Sequence, residues 1–130
     1  MSYIKSFVGT AVPFLVIDAL WIGLYLGEHY RETVGHLLLE TPKFAPAGLF
    51  YVAYVIGVVF LAVQPALATK RLQTAIVNGG VVGALAYGTF TLTNHAVLQG
   101  WTVGLVISDI AWGTFLTALS AGCGYLLARK

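Results

Sequence analysis

Four long apolar segments constrain the fold of this chain more than any other feature. They run over about residues 6–26, 47–68, 72–94 and 101–128, and none holds more than one charged side chain. About 20 apolar residues are enough for a helix to cross roughly 30 Å of hydrocarbon. The pattern therefore predicts an all-α fold, a bundle of four transmembrane helices that forms a single transmembrane domain over residues 1–130.

Composition argues against two broad classes of protein. Charged residues make up 9% of the chain and hydrophobic residues 58%, whereas a soluble domain is charged at roughly 25% of its positions. The net charge of +2 is too small and too dispersed for a nucleic-acid-binding surface. The chain is thus neither an ordinary soluble globule nor a protein with a nucleic acid partner, and membrane lipid is its expected surrounding.

The connections between the segments predict the orientation of the bundle. The first connection, residues 27–46, mixes acidic and basic side chains with two prolines, so we expect it outside the hydrocarbon, with a short interfacial helix. The basic residues on the side of the two termini are Lys5, Lys70, Arg71, Arg129 and Lys130. The opposite side has only Arg31 and Lys43. The positive-inside rule then predicts that both termini are cytoplasmic.

Small residues at helical spacing mark the faces on which lipid-embedded helices pack closely. The third segment offers Gly79, Gly80, Gly83, Ala84 and Gly88, and the fourth offers Ala118, Ala121 and Gly122. From the longer series we expect the third helix to lie at the centre of the bundle.

Two aspartates lie within the apolar segments, where a carboxylate costs at least roughly 2.5 kcal/mol. Asp18 and Asp109 each lie about eight residues from the outer end of their helix, and Tyr87 has a similar position on the third helix, so all three fall roughly 12 Å below the outer surface. We predict that they are the acid and base groups of a polar site. The alternative is that each carboxylate clamps helices together through hydrogen bonds.

Other polar and aromatic side chains join this predicted site as binding residues. Trp21 and Trp112 each follow an aspartate at a spacing of three, which places each pair on one helix face. Thr91 and then Asn94 or His95 continue from Tyr87 at helical spacing and form a polar stripe that reaches the outer surface.

A second group of polar residues lies in the first connection. His29, Glu32 and His36 would share one face of a short helix, and His and carboxylate side chains at this spacing can bind zinc. An interfacial helix with charged residues in water and leucines in lipid explains the same pattern and is the favoured interpretation. The sequence assigns no cofactor.

The motifs DALWIG in the first helix, FYVAYVIGVVFLAVQP in the second, YGTFTLTNHAVLQGW from the third into its loop and SDIAWGTFL in the fourth give the chain a recognisable pattern. It resembles a family of small bacterial predicted membrane proteins catalogued as a domain of unknown function. The resemblance implies a bacterial inner-membrane location. Members of that family are found beside genes for lipid-modifying enzymes, so the resemblance also favours a role in lipid modification.

Three functions remain in competition at this point. The chain is an enzyme, or an enzyme's partner, that modifies lipid or another hydrophobic molecule with Asp18, Asp109 and Tyr87. Alternatively, it is a small carrier or binding protein for a cation or an amphiphile, acting as a homo-oligomer. The third alternative is an accessory subunit of a larger membrane complex.

Overall fold

The computed structural model describes residues 2–21 and 44–129. Its helices are α1 (Ser2–Trp21), α2 (Phe44–Val58), α3 (Gln64–Thr69), α4 (Leu72–Val97) and α5 (Val103–Ala128). A π-helical turn, Val59–Val63, joins α2 to α3, and the three together form the second span. Within the described residues all regular structure is helical, and four helices are long and apolar enough to cross a membrane: Tyr3–Trp21, Gly48–Thr69, Leu72–Val97 and Val103–Ala128. The predicted four-helix fold is confirmed.

Two parts of the prediction fall outside this description. The first span was expected to continue to residue 26, and the first connection to form a short interfacial helix; residues 22–43 are not among those described. The short connection between the predicted segments 47–68 and 72–94 is confirmed, because α3 ends at Thr69 and α4 begins at Leu72.

Successive spans run antiparallel, so the bundle has two ends. We name them after residues in the connections: the Lys70 end, where α3 turns into α4, and the Trp101 end, where α4 turns into α5. Gln64 of α3 contacts Ser6 of α1 near the Lys70 end, and Tyr51 of α2 contacts Asp18 of α1 nearer the Trp101 end. These contacts fix the relative levels of the spans.

Helix α5 packs against all three of the other spans, whereas α4 packs mainly against α5 and the second span. Gly83 of α4 lies directly on the backbone of Gly113, and Gly9 of α1 also lies close to the backbone of Gly124, at a less tight contact. Small residues therefore do mark the contact faces. The expectation that the third helix is central was wrong, because α5 carries small residues toward both α4 and α1.

The π-helical turn lies immediately before Pro65 in the second span. The backbone N–H of Gln64 bonds to the carbonyl of Val59, five residues earlier. Pro65 has no N–H for the carbonyl of Leu61, the acceptor four residues before it. Asn78 of α4 supplies the missing donor, with its Nδ2 3.1 Å from the Leu61 oxygen. A side chain of the neighbouring helix thus satisfies a backbone group that water does not reach inside a membrane.

A candidate intramembrane carboxylate site

Asp18 is the focus of the polar interior. Its side chain is only 5% exposed, and both of its oxygens accept hydrogen bonds from other helices. The Tyr51 hydroxyl donates to Oδ2 at 2.8 Å, and the indole Nε1 of Trp112 donates to Oδ1 at 3.4 Å. The carboxylate therefore ties α1 to α2 and α5.

A stacked pair of tryptophans lies beside this carboxylate. The rings of Trp21 and Trp112 are 4.1 Å apart between centroids and 10° from parallel, and Phe115 lies against the second ring at 5.9 Å. The sequence pattern pairs each tryptophan with the aspartate of its own helix. In the structure, Trp112 also crosses to Asp18 of α1, so the two Asp-x-x-Trp motifs form one joint site.

Aromatic rings separate Asp18 from the part of the bundle nearer the Lys70 end. Phe14, one turn before Asp18 on α1, is 1% exposed. Its ring contacts Tyr51 at 5.9 Å and Tyr54 at 5.4 Å between centroids. The Tyr54 hydroxyl is hydrogen-bonded to Thr117 of α5 at 2.8 Å. This aromatic layer forms the floor of the site.

The other two predicted acid and base residues lie in the same region. Asp109 is 3% exposed and precedes Trp112 by one turn of α5. The ring of Tyr87 packs directly on Gly113, the residue after Trp112, and its centroid lies 6.5 Å from that of Tyr54. The structure thus brings Asp18, Asp109 and Tyr87 to one side of the bundle interior.

Basic side chains are scarce in the described spans. From Ser6 to Trp21 and throughout the other three described spans, His95 is the only residue with a basic side chain. It is exposed at the Trp101 end, where its Nδ1 donates to the carbonyl oxygen of Trp101 at 2.9 Å. Within the described spans, therefore, no lysine or arginine lies beside Asp18.

The polar stripe on α4 forms hydrogen bonds mostly with the loop that follows the helix. Nε1 of Trp101, whose side chain is 7% exposed, donates to Thr91 Oγ1 at 3.0 Å. His95 bonds to the backbone of the same tryptophan, and the carbonyl of Asn94 accepts from the Leu98 N–H at 2.8 Å. Thr91, Asn94 and His95 therefore shape the Trp101 end, whereas Asp18 receives its hydrogen bonds from α2 and α5.

The predicted metal candidates, His29, Glu32 and His36, lie outside the described residues. In residues 2–21 and 44–129, no group of three or more His, Cys, Asp and Glu side chains comes close enough to hold a metal ion.

Sequence reasoning missed Tyr51, Tyr54 and Phe14. Tyrosine near a helix end is typical of the membrane interface, so the position of Tyr51 alone does not mark it as a site residue. A usable signal was present, since Phe14 and Asp18 share one face of α1, and Tyr51 and Tyr54 share one face of α2. Two tyrosines on one face of an otherwise apolar helix indicate that a neighbouring helix offers polar partners.

Comparisons with known proteins place this architecture in context. No solved structure matches the chain. The fluoride-specific ion channel FluC of Sulfurovum sp. (strain NBC37-1) is 29% identical over 124 residues, which cover 91% of this chain and 96% of the relative. The profile of a family of predicted membrane proteins, DUF2177, matches residues 3–126, nearly the whole chain. This protein therefore belongs to DUF2177, a family of membrane proteins of unknown function.

Proposed function

We propose that this protein carries a small inorganic ion across the membrane, and that Asp18 exchanges a proton during transport. One observation carries the proposal. Asp18 is a buried carboxylate that is held by donors from two other helices and has no basic partner within the described spans.

The physical argument begins with the cost of a buried charge. An ionised carboxylate in a low-dielectric interior must be paired, or it takes up a proton. Burial opposes the charged form of Asp18, while the hydrogen bonds from Tyr51 and Trp112 stabilise it. These opposing effects let the group alternate between the two forms. Proton or cation exchange is the chemistry that such a group performs in transporters.

The similarity to a fluoride-specific ion channel favours ion transport over lipid chemistry. When Asp18 is protonated, the hydroxyl of Tyr51 and the indole N–H of Trp112 can donate to a small anion instead. When Asp18 is ionised, the same location attracts a cation. The proposal therefore covers both signs of ion, and the ion is identified by the transport experiment.

The experiment uses the full chain in liposomes that contain a pH-sensitive dye. Gradients of sodium chloride, potassium chloride and sodium fluoride are imposed separately, and protein-free liposomes give the background. We expect one gradient to drive a protein-dependent proton flux. Asp18→Asn should abolish this flux, and Asp18→Glu should retain part of it, because only the second variant keeps an ionisable group.

Thr89→Val is the matched control. Thr89 is exposed on α4 and its hydroxyl bonds to the carbonyl of Leu85 of its own helix at 2.7 Å, so this variant should transport like wild type. A protein that shows no flux under any gradient, or an Asp18→Asn variant with wild-type flux, would refute the proposal. Far-ultraviolet circular dichroism establishes that each variant is folded.

Lipid modification by Asp18, Asp109 and Tyr87 stays a prediction with less support. A lipid-facing groove of about 250 Å³ is lined by Tyr3, Phe7, Ile56, Val59, Phe60 and Gln64. Phe7 lies three turns of α1 from Asp18, roughly 16 Å along the helix, and none of Asp18, Asp109 and Tyr87 is among the residues that line the groove. Whole-cell lipid profiles of a deletion strain restored with wild type or with Asp109→Asn test this role.

The fine details of assembly and location are proposals as well. Both termini are proposed to be cytoplasmic in a bacterial inner membrane, which makes the Lys70 end the inner one. Homo-oligomerisation and association with a larger membrane complex are alternatives that gentle extraction from native membranes distinguishes by the mass of the particle.

A further inference from the structure

We infer that the bundle binds the phosphate group of an anionic phospholipid at its Lys70 end, in a surface groove beside the first turns of α4. The groove has a volume of about 230 Å³. We call it the Arg71 groove, and its lining residues are Arg71, Gln73, Thr74, Val77 and Asn78. Binding of a lipid there requires no transport, so this inference is independent of the proposed function.

The polar side chains nearest the Lys70 turn supply hydrogen-bond donors to the Arg71 groove. Nη2 of Arg71 donates to Oε1 of Gln73 at 3.0 Å. That bond uses the amide oxygen of Gln73, so the amide nitrogen of the same side chain is left to donate. A guanidinium has five N–H groups, and the bond to Gln73 uses one of them. The others can bind a phosphate in the bidentate manner that is typical of arginine.

The charge around the Arg71 groove is positive. Lys70 and Arg71 form the whole connection between α3 and α4, and both are exposed, as is Lys5 near the start of α1. The sequence from residue 41 to residue 108 contains no aspartate or glutamate, so the second span and α4 bring no carboxylate to the groove. An anion is the complementary ligand, and basic pockets between transmembrane helices bind anionic lipid headgroups.

The deeper part of the Arg71 groove is apolar and reaches into the membrane. Val77 is 52% exposed and lies about 9 Å along the helix from Arg71. It belongs to a span that is long and apolar enough to cross a membrane. A phospholipid whose phosphate lies at Arg71 would place its glycerol and first acyl carbons beside Val77. A free phosphate ion has no group that fits this apolar part, so the groove favours the lipid.

Asn78 holds the Arg71 groove in shape. Its Nδ2 donates to the carbonyl of Leu61 at 3.1 Å, which ties this face of α4 to the second span. A site whose walls are already fixed loses less conformational freedom when a ligand binds. The groove is therefore formed before the lipid arrives.

The primary test is native mass spectrometry of the full chain with phosphatidylglycerol or phosphatidylcholine, which both have a phosphate but differ in net charge. We expect phosphatidylglycerol to bind about fivefold more tightly, the effect of one basic residue near a membrane surface. Arg71→Gln should remove this preference. Arg129→Gln is the matched control, because Arg129 is exposed after the end of α5 and is not among the residues that line the groove.

Two results of this comparison would overturn the site. One is equal binding of the two lipids by the wild-type protein. The other is an equal loss of preference in Arg71→Gln and Arg129→Gln, which would indicate a general attraction to positive charge. Circular dichroism spectra that match wild type establish that the variants are folded.

A second pair of variants tests the groove itself at constant charge. Val77→Trp fills the groove and should remove the preference for phosphatidylglycerol. Val81→Trp should keep it, because Val81 is 54% exposed on the same helix but lies outside the groove. Equal binding by these two variants would contradict a lipid in the groove. Inorganic phosphate at the concentration of the lipid should not displace it; displacement would show a site for free phosphate and overturn the assignment to a lipid.

Discussion

Trp112 of α5 stacks on Trp21 of α1 with the ring centroids 4.1 Å apart, and the same indole donates to Asp18 of α1. One side chain thus links the two helices through both an apolar face and a polar edge. The stack makes a testable optical prediction. Two parallel indoles at this distance couple their electronic transitions, so we expect an exciton couplet in the far-ultraviolet circular dichroism spectrum.

Trp21→Phe and Trp112→Phe should each abolish the couplet. Trp101→Phe should preserve it, because Trp101 packs edge-on against Phe90. A couplet that survives either of the first two substitutions, or that disappears with the third, contradicts the stacked geometry.

The hydrogen bond from Tyr51 to Asp18 should stabilise the fold more than the one between Tyr54 and Thr117. A hydrogen bond to a charged group contributes roughly 1.5–3 kcal/mol, whereas neutral pairs inside membrane proteins average about 0.6 kcal/mol. We therefore expect Tyr51→Phe to lower the free energy of unfolding more than Tyr54→Phe. Reversible unfolding in mixed micelles measures both values.

The same pair of variants reports the charge state of Asp18. In an Asp18→Asn background, the cost of Tyr51→Phe should fall to that of Tyr54→Phe, because only a neutral acceptor remains. Equal costs of the two tyrosine substitutions in the wild-type background would show that Asp18 is already protonated there.

Close packing of α4 on α5 depends on Gly113. A methyl group at this position would overlap the ring of Tyr87, and overpacking of a tight contact costs about 1–3 kcal/mol. Gly113→Ala should therefore destabilise the bundle by that amount. At Gly88, which is also buried, the nearest side-chain atom would be 3.8 Å away, an ordinary contact with Ile110.

Gly88→Ala is consequently the matched control for Gly113→Ala. Alanine is favoured over glycine inside a helix by about 1 kcal/mol, so this variant should be at least as stable as wild type. If both variants lose the same free energy of unfolding in micelles, a cause other than contact distance requires glycine at these two positions.

The fold was predictable from the sequence because segment length and hydrophobicity directly reflect the thickness of a bilayer. Which helix is central was not predictable. Small residues on the third and fourth segments indicate close contacts, but they do not identify the partner of each face. Gly9 and Gly124, which bring α1 against α5, have no distinctive pattern beyond their size.

Residue counting predicts the depth of the candidate site but does not identify the hydrogen-bond donors of its carboxylates. Counting residues predicts one level for Asp18, Asp109 and Tyr87. In the structure Trp112, one turn after Asp109, donates to Asp18, and Tyr87 packs on Gly113. The donors to Asp18 depend on how the helices are rotated about their axes, which residue spacing alone does not fix. For the same reason, the sequence does not show whether Tyr51 faces the membrane interface or the bundle interior.

The π-helical turn of the second span allows a final prediction about backbone hydrogen bonding. Asn78 donates to the carbonyl of Leu61, the group that Pro65 leaves without its usual partner. Asn78→Ala should lower stability by about 0.6–1.7 kcal/mol, the range of side-chain hydrogen bonds inside membrane proteins.

In a Pro65→Ala background, residue 65 regains an N–H for the Leu61 carbonyl, so Asn78→Ala should cost clearly less there. A double-mutant cycle of unfolding free energies measures this coupling, and Gln73→Ala, at an exposed position on the same helix, serves as the uncoupled control. Equal costs of Asn78→Ala in the two backgrounds would mean that the asparagine stabilises α4 through other contacts than the carbonyl freed by Pro65.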